Sequence, residues 1–449
     1  MESREGYSGR ILEKLNGIGA HVGDIIRVQR GAEVLEGTLI PRSHATDDEY
    51  LILKLKSGYN VGIKDGSEVS IQLLSHGVKP AFKKPPIPSR SGELPKVSVI
   101  STGGTIASRV DYRTGGVEPA LDAEDLYSVF PELADIANIK TSVLFNVFSE
   151  NITPQHWKRM AHAVADAVRD GAHGVVICHG TDTMGYTAAA LSFILQNLPI
   201  PVVLVGSQRS SDRPSSDAAS NMVGAVSTAI QAPFAEAVVV MHETISDEAL
   251  SVHRGTKVRK CHTSSRDAFK SVNSSPIARF HIMEGRFELL EDDARKRDPA
   301  AVLTLEDALD ENVALLKFYP GMSPDTLESL IDRGVHGVIL EGTGLGHVSS
   351  AFYKTVEKAA KEGLFVGMTS QCLWGRVNMH VYSTGRDLLR LGVTPLEDML
   401  PETALIKLMW VLGRTRNLPE VRSMMTKNIA YEISGRRWQW EEEGRGRLQ

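Results

Sequence analysis

The sequence predicts an α/β protein with a two-domain, parallel-sheet body that follows a small all-β barrel. Three observations predict this fold class. Strand-like β-branched runs alternate with helical segments from residue 96 onward, short strand-like runs separated by Gly and Asp turns occupy residues 22–74, and a proline-rich basic segment lies between the two parts. The length of 449 residues exceeds that of a usual single domain, so two or three domains with their own cores are expected.

The first predicted unit is a small β-barrel domain at residues 1–78. Its strand-like runs are residues 24–28, 33–40, 50–55 and 69–73. Residues 79–95 contain five prolines together with several lysines, and such a segment cannot continue a sheet. We therefore predict a linker there.

The body is predicted to contain four further segments. They are a large α/β domain at 96–290, a connection at 291–311, a small C-terminal α/β domain at 312–435 and a charged tail at 436–449. In the large domain, strands are predicted at 97–100, 174–178, 201–206 and 237–241. Thr153 and Pro154 begin a helix that Gly171 ends. The small domain is predicted to hold strands at 313–318, 337–340 and 365–369 and an apolar helix at 402–412.

Composition argues against several classes of protein. No run of eighteen apolar residues is present and the N-terminus lacks the apolar core of a secretory signal, so a cytoplasmic protein without membrane association is expected. Cys178, Cys261 and Cys372 are odd in number and lack metal-ligand spacing, which predicts neither disulfides nor a zinc site. The net charge of −5 provides no general attraction for nucleic acid, and residues 341–346 lack the spacing of a dinucleotide fingerprint.

Two short turns carry most of the functional information. Residues 101–107, Ser-Thr-Gly-Gly-Thr-Ile-Ala, and residues 178–184, Cys-His-Gly-Thr-Asp-Thr-Met, each place a threonine after an apolar strand. Gly103 and Gly104 allow a sharp turn and a close approach to a ligand. Ligands bind at the carboxyl ends of strands in open parallel sheets, which is where both turns lie. Either turn alone could be an ordinary packed connection, but the pair points to amide hydrolysis by a threonine nucleophile.

Residues 102–107 and 179–184 resemble the two threonine motifs of the bacterial-type L-asparaginase and glutaminase family. A third match is Lys260, which precedes residues 266–273 much as the active-site lysine of that family precedes a similar Phe-Lys-Ser segment. The resemblance covers residues 96–413 and implies an asparaginase-like two-domain body. Without it, Lys260 would be interpreted as a solvated surface lysine.

The resemblance implies a role for each residue of the site. Thr105 would be the nucleophile, and Tyr112, in a glycine-containing lid, would relay its proton. Thr181 and Asp182 would share the proton of Lys260. The backbone N–H groups of Gly104 and Thr181 would stabilise the oxyanion. The residues themselves leave open which threonine attacks, and the resemblance favours Thr105.

Substrate recognition is predicted at Ser149 and Glu150. Secreted relatives resemble Ser-Gln at this place, so Glu150 is a departure from their pattern. Together with Asp182, this carboxylate would suit the α-ammonium group of an amino acid through charge-assisted hydrogen bonds. Glu150 could instead cap the helix that begins near Thr153.

The N-terminal barrel, with residues 31–37 and 58–63, combined with an asparaginase-like body resembles the D-subunit family of archaeal glutamyl-tRNA(Gln) amidotransferases. This resemblance implies that the chain releases ammonia from glutamine or asparagine. Its partner would be the E subunit of the amidotransferase, which would bind Glu-tRNA(Gln), activate its glutamyl group with ATP and Mg²⁺, and receive the ammonia. No cofactor is expected in this chain, and a homodimer within a heterotetramer is implied.

Two other functions compete with this interpretation. A free-standing cytoplasmic L-asparaginase or glutaminase would explain the catalytic residues but leaves the first ninety residues unused. A non-catalytic scaffold would keep the fold alone. Packing does not require the full set of chemical side chains found here, which argues against the scaffold; the set is Thr105, Tyr112, Thr181, Asp182 and Lys260.

Overall fold

The computed structural model of the chain describes most of the sequence. The described residues are 7–41, 49–56, 59–76, 94–104, 106, 108–111, 116–119, 126–127, 129–209 and 215–435. Thr105, Tyr112, nearly all of the predicted linker and the predicted tail at 436–449 lie outside these ranges.

The N-terminal unit is a five-stranded antiparallel sheet that packs on a helix. Its elements are α1 (Gly9–Gly17), β1 (Ile25–Arg30), β2 (Glu33–Leu39), β3 (Tyr50–Leu55), β4 (Asn60–Lys64) and β5 (Val69–Ser75), and the strand order is β4-β3-β2-β1-β5. The four predicted strands are confirmed as β1, β2, β3 and β5, whereas β4 and α1 were not predicted. Its apolar residues Ile11 and Leu15 are four positions apart, so they share one buried helix face.

The large unit is built on an eight-stranded sheet of order β18-β17-β14-β13-β12-β10-β6-β9. Its strands are β6 (Lys96–Ser101), β9 (Asn138–Val143), β10 (Gly174–Cys178), β12 (Val202–Val205), β13 (Ala237–His242), β14 (Ala249–Arg254), β17 (Ala278–His281) and β18 (Arg286–Leu289). Small paired strands flank the sheet: β7 (Ser108–Asp111), β8 (Gly116–Pro119), β11 (Leu195–Gln196), β15 (Val258–Lys260) and β16 (Phe269–Ser271). The helices are α2 (Leu133–Ile136), α3 (Pro154–Arg169), α4 (Met184–Ile194) and α5 (Ala218–Gln231).

This sheet is parallel only in part. The five strands from β9 to β13 run parallel, whereas β14, β17 and β18 pair antiparallel. Short connections account for two of these pairings. A parallel neighbour requires a crossover of a dozen or more residues, and only residues 243–248 join β13 to β14 and only residues 282–285 join β17 to β18. Between β14 and β17 the chain is longer and forms the pair β15 and β16 instead of a crossover helix.

The second α/β unit has a four-stranded parallel sheet of order β20-β21-β22-β23. Its strands, with β19 (Thr304–Leu305) before them, are β20 (Val313–Lys317), β21 (Gly337–Gly342), β22 (Phe365–Ser370) and β23 (Thr394–Pro395). The helices are α6 (Asp325–Asp332), α7 (Tyr353–Lys361), α8 (Ser383–Arg390), α9 (Pro401–Leu412) and α10 (Leu418–Thr426). The strands and the apolar helix predicted for this region are confirmed.

The two α/β units share one hydrophobic core. Helix α4 of the first unit packs on helix α9 of the second, and Phe193 and Trp410 lie with their ring centroids 5.8 Å apart. Because the core is continuous, the structure does not separate the units at single residues, and the predicted boundaries at 290 and 312 stay predictions. No helix within the described ranges is long and apolar enough to span a membrane.

A buried ion pair fastens the end of the described chain to this core. Lys407 on α9 and Glu432 after α10 are both fully buried, and their charged atoms lie 2.5 Å apart. Glu432 also accepts hydrogen bonds from the backbone N–H groups of Ile429 and Ala430. Burial lowers the pKa of Lys407 and the nearby Glu432 carboxylate opposes that change.

We expect Glu432→Gln to destabilise the protein strongly, because it leaves the buried Lys407 ammonium without its counter-charge. Breaking one side of such a pair costs about 3–5 kcal/mol in free energy of unfolding. Glu357→Gln, which removes an exposed partner of Lys361, is the matched control and should cost less than about 0.5 kcal/mol. Urea denaturation followed by circular dichroism measures both. Equal losses for the two variants would contradict this assignment.

Candidate active site

The register of two neighbouring strands brings the two threonine turns together. Strands β6 and β10 are parallel, and Ser101 lies opposite Cys178 at their carboxyl ends. Beyond this pair, the Thr102 N–H and hydroxyl groups both donate to the Cys178 carbonyl oxygen, at 3.1 and 2.8 Å. The two turns therefore leave the sheet side by side.

The glycines let these turns touch. Gly103 and Gly104 have φ values of 112° and 82°, a region that L side chains rarely adopt. A Cβ atom on Gly104 would lie 2.9 Å from the Gly180 nitrogen, and one on Gly103 would lie 2.3 Å from the Val147 carbonyl oxygen. The sharp turn predicted for these glycines is confirmed, and the close approach seen here is to protein backbone; approach to a ligand stays a prediction. Thr105 follows directly but lies outside the described residues.

The structure brings together Thr181, Asp182 and Lys260. The Lys260 Nζ atom donates to Thr181 Oγ1 at 2.9 Å and to Asp182 Oδ1 at 2.7 Å. The Lys260 side chain is only 14% exposed, so it is not a solvated surface lysine, whereas the Asp182 side chain is 69% exposed. Strand β15 supplies the lysine and the turn after β10 supplies the other two residues.

This trio can hold and move a proton. In the observed arrangement the lysine ammonium donates to a hydroxyl and a carboxylate at once. After losing a proton, the same nitrogen would be an acceptor within hydrogen-bond reach of the Thr181 hydroxyl. The geometry therefore provides a short route for protons between an ammonium, a hydroxyl and a carboxylate.

Ser149 and Glu150 lie on a short 3₁₀ helix, Ser149–Asn151. Ser149, but not Glu150, packs against the second turn, residues 178–184. Ser149 is buried, its carbonyl accepts the Thr183 hydroxyl at 2.7 Å, and its Cβ would lie 2.8 Å from a Cβ placed on Gly180. Glu150 is exposed. The alternative role of Glu150 as a helix cap is wrong, because Thr153 and His156 form the capping box of α3.

Sequence reasoning missed a buried hydrogen-bond chain beneath the second turn. The Trp157 indole N–H lies 3.1 Å from Thr187 Oγ1, which lies 2.9 Å from His179 Nε2, and His179 Nδ1 lies 2.6 Å from the Gly180 carbonyl oxygen. The Gly180 carbonyl only accepts, so Nδ1 is the ring nitrogen that carries a proton and donates to it. Burial lowers the pKa of the ring to about 4, so the imidazole is neutral near pH 7 and its Nε2 atom accepts from the Thr187 hydroxyl.

A second missed feature anchors the strand that carries Lys260. Lys257, just before that strand, is buried and donates to Asp398 Oδ2 of the second α/β unit at 2.7 Å. Asn273 crosses the same boundary and donates to the carbonyl oxygens of Gly375 and Asp398 at 3.0 and 3.1 Å. In the sequence, only the motif that contains His179 pointed to the hydrogen-bond chain described above. No sequence signal marked the second, because 141 residues separate its partners.

Comparison with known proteins agrees with the fold. Residues 96–294 match the family described as "Asparaginase, N-terminal", and residues 312–425 match "Glutaminase/Asparaginase C-terminal domain". Residues 20–74 match "GatD N-terminal domain". These three matches cover the N-terminal sheet and both α/β units.

Two relatives match nearly the whole chain. The D subunit of glutamyl-tRNA(Gln) amidotransferase from Pyrococcus abyssi is 51% identical over 430 residues, which cover 95% of this chain and 98% of that protein. The same subunit from Metallosphaera sedula is 50% identical over 434 residues, with 96% and 97% covered. The chain belongs to the D-subunit family of glutamyl-tRNA(Gln) amidotransferases.

The D-subunit family shares its body with free-standing enzymes of known structure. The thermostable L-asparaginase from Thermococcus kodakarensis superposes with a TM-score of 0.68 at 36% identity, covering 76% of this chain and all of that one. L-asparaginase I from Vibrio cholerae gives 0.66 at 28% identity, with the same coverage. Residues 20–74 match the GatD N-terminal domain, and the D subunits match nearly the whole chain. Both findings favour an amidotransferase subunit over a free asparaginase.

The buried neutral His179 predicts acid sensitivity. Its pKa falls from 6.5 to about 4 on folding, so below pH 6.5 the unfolded chain binds a proton that the native protein does not. The free energy of unfolding should therefore be unaffected by this group above pH 6.5 and fall by about 3 kcal/mol as the pH drops to about 4. Denaturant titrations at several pH values compare wild type with His179→Gln, which should lose this part of the pH dependence.

Other buried groups make a control variant necessary for that experiment. Burial also lowers the pKa of His253, to about 3, so wild type should lose stability in acid for more than one reason. His162→Gln removes an exposed histidine and should keep the wild-type pH profile. If His179→Gln also keeps that profile, His179 is not the neutral buried group described here.

Proposed function

We propose that this chain is the ammonia-releasing subunit of a tRNA-dependent amidotransferase. It hydrolyses the side-chain amide of glutamine or asparagine through a threonine nucleophile and supplies ammonia for the conversion of Glu-tRNA(Gln) to Gln-tRNA(Gln). The observation that carries this proposal is the contact of Lys260 with both Thr181 and Asp182 beside the Gly103–Gly104 turn.

The proposed reaction begins with attack by Thr105. The Thr105 hydroxyl oxygen attacks the amide carbon, and its proton leaves through Tyr112. The backbone N–H groups of Gly104 and Thr181 stabilise the oxyanion of the tetrahedral intermediate. When the C–N bond breaks, the nitrogen takes a proton and departs as ammonia, and water then hydrolyses the acyl ester on Thr105.

The Lys260 trio supports this chemistry from the second turn. The contact with Asp182 holds the lysine nitrogen against Thr181, so protons can pass between the lysine and the hydroxyl as charge changes at the reacting centre. Gly104, the residue before Thr105 in the sequence, lies against Gly180 of the turn that carries Thr181, and this contact supports the proposal that the nucleophile works beside the trio.

The donor amino acid is proposed to bind at Ser149 and Glu150. Ser149 packs against the second turn, and the exposed carboxylates of Glu150 and Asp182 suit the α-ammonium group of glutamine or asparagine.

The partner assignments are part of the same proposal. The relatives' name describes one component of a larger assembly that acts on glutamyl-tRNA(Gln). We assign tRNA binding and activation of the glutamyl group with ATP and Mg²⁺ to the E subunit of the amidotransferase, with this chain as a homodimer within a heterotetramer. A cytoplasmic location follows from the tRNA substrate.

Lys260→Met should reduce ammonia release from glutamine and asparagine by about 10²–10⁴-fold, because it removes a proton-transfer group. Thr105→Val should have a comparable effect. Lys361→Met, which removes an exposed lysine far along the chain, is the control and should keep wild-type activity. Ammonia release is measured with the chain alone and then with the E subunit, Glu-tRNA(Gln), ATP and Mg²⁺.

The complex provides a second readout for the same variants. If Lys260→Met fails only in releasing ammonia, added ammonium chloride should restore Gln-tRNA(Gln) formation by the mutant complex. Wild-type ammonia release by Lys260→Met would refute the site. Fast release by wild type that is unchanged by the E subunit, Glu-tRNA(Gln) and ATP would indicate a free amidohydrolase instead.

Glu150→Gln tests the donor-binding assignment and gives the residue of the secreted relatives. Loss of a charge-assisted hydrogen bond to the α-ammonium should raise KM for the amide donor about tenfold or more while kcat changes less. Glu357→Gln, an exposed carboxylate on α7, should leave both constants unchanged. Steady-state kinetics of the complex measure KM and kcat for the amide donor. An unchanged KM for Glu150→Gln would show that Glu150 does not bind the donor.

A further inference from the structure

A cluster of metal-ligating side chains lies at one end of the N-terminal sheet, in the part of the chain that the amide chemistry does not use. His76 Nδ1 and His21 Nδ1 both face Asp24 Oδ2, at 3.2 and 3.8 Å. One possible ligand atom from each of the three residues lies within 4.8 Å of the other two. Sequence spacing does not reveal the cluster, since 52 residues separate Asp24 from His76.

The fold itself assembles these ligands. Ile25 and Ser75 pair across β1 and β5, so Asp24, just before β1, and His76, just after β5, meet beyond the last pair of the ladder. The turn that leads into β1 supplies His21. Its N–H donates to Asp24 Oδ2 at 2.8 Å, and the Asp24 N–H donates back to the His21 carbonyl oxygen at 3.0 Å.

The carboxylate is buried while both imidazoles are exposed. Asp24 is 5% exposed and its oxygen is oriented by the backbone N–H bond described above. The side chains of His21 and His76 are 59% and 70% exposed, so solvent reaches the cluster. A held carboxylate beside two solvent-facing imidazoles resembles the ligand set of a zinc site with one position left for water.

We propose that His21, Asp24 and His76 bind one Zn²⁺ ion, with water as the fourth ligand. Tetrahedral zinc with bonds of about 2.0–2.1 Å separates neighbouring ligand atoms by about 3.3 Å, and the distances of 3.2 and 3.8 Å to Asp24 lie on either side of this value. Small movements of the exposed rings complete the geometry. Two imidazoles favour zinc over Mg²⁺ or Ca²⁺, which prefer oxygen ligands.

Bound zinc would join the entrance of β1 to the exit of β5. It would close the open end of that strand pair. It would also hold His76, the last described residue before residues 77–93 and the α/β body in the sequence. Because the metal binds the folded sheet and not the unfolded chain, it would raise the stability of the N-terminal unit. This inference does not depend on the proposed amide hydrolysis.

The test is a zinc titration of the full-length, chelator-treated protein by isothermal calorimetry. Wild type should bind one equivalent, and His76→Ala should weaken this binding by about tenfold or more through the loss of one ligand. His21→Ala is a second variant with the same expectation. His162→Ala, which removes an exposed histidine paired with Asp307, is the matched control and should bind zinc like wild type.

Co²⁺ substitution identifies the ligand atoms. Binding at this cluster should give visible d–d bands without a thiolate-to-cobalt charge-transfer band, and His76→Ala should lose those bands. A thiolate band would place the metal on Cys261 or Cys372 and overturn the proposal. Absence of zinc binding by wild type, or equal affinity in wild type and His76→Ala, would also overturn it and leave the cluster as ordinary histidine–carboxylate contacts.

Discussion

The candidate site depends on one constraint, the parallel register of β6 and β10. Because Ser101 lies opposite Cys178, the strands end at the same level and their turns emerge as neighbours. The close approach of Gly104 to the Gly180 backbone then leaves no room for a Cβ atom on Gly104, and Ser149 leaves none on Gly180. A slip of one residue would separate the turns and move each side chain of the strand to the opposite face of the sheet. The hydrogen bonds between β6 and β10 therefore fix both the burial of their valines and the geometry of the site.

The second α/β unit contributes to the site without reaching into it. Lys260 arrives on a three-residue strand, too short to be positioned by its own ladder, and the residue before that strand is tied to Asp398. Burial disfavours the Lys257 ammonium and lowers its pKa, while Asp398 opposes this change. A buried pair of this kind adds little net stability but strongly penalises any arrangement in which the partners separate. It therefore specifies how the lysine strand sits against the second unit.

Much of this architecture was predictable because it is local. The α/β alternation, the cap at Thr153 and the glycine turns follow from residues that are close in sequence, and the family resemblance added Lys260. The antiparallel strands beyond β13 were missed because no crossover helix lies between them, and the sequence pattern of strands alone does not show this. The chain from Trp157 through Thr187 to His179 was missed because it becomes visible only after α3 and α4 pack together. Long-range polar contacts carry no periodic signal.

The burial of the Lys260 trio is uneven, and this bears on how ammonia release is controlled. Lys260 is mostly buried while Asp182 faces water. Two charges about 4 Å apart interact by about 1 kcal/mol in water but by about 4 kcal/mol at the effective dielectric constant near a protein surface. Excluding water from Asp182 would strengthen its attraction for the lysine ammonium, whereas the α-ammonium group of a bound donor would compete for the same carboxylate. Because Asp182 is exposed, the strength of its contact with Lys260 depends on what lies over it, and binding of the proposed donor or partner would change that contact.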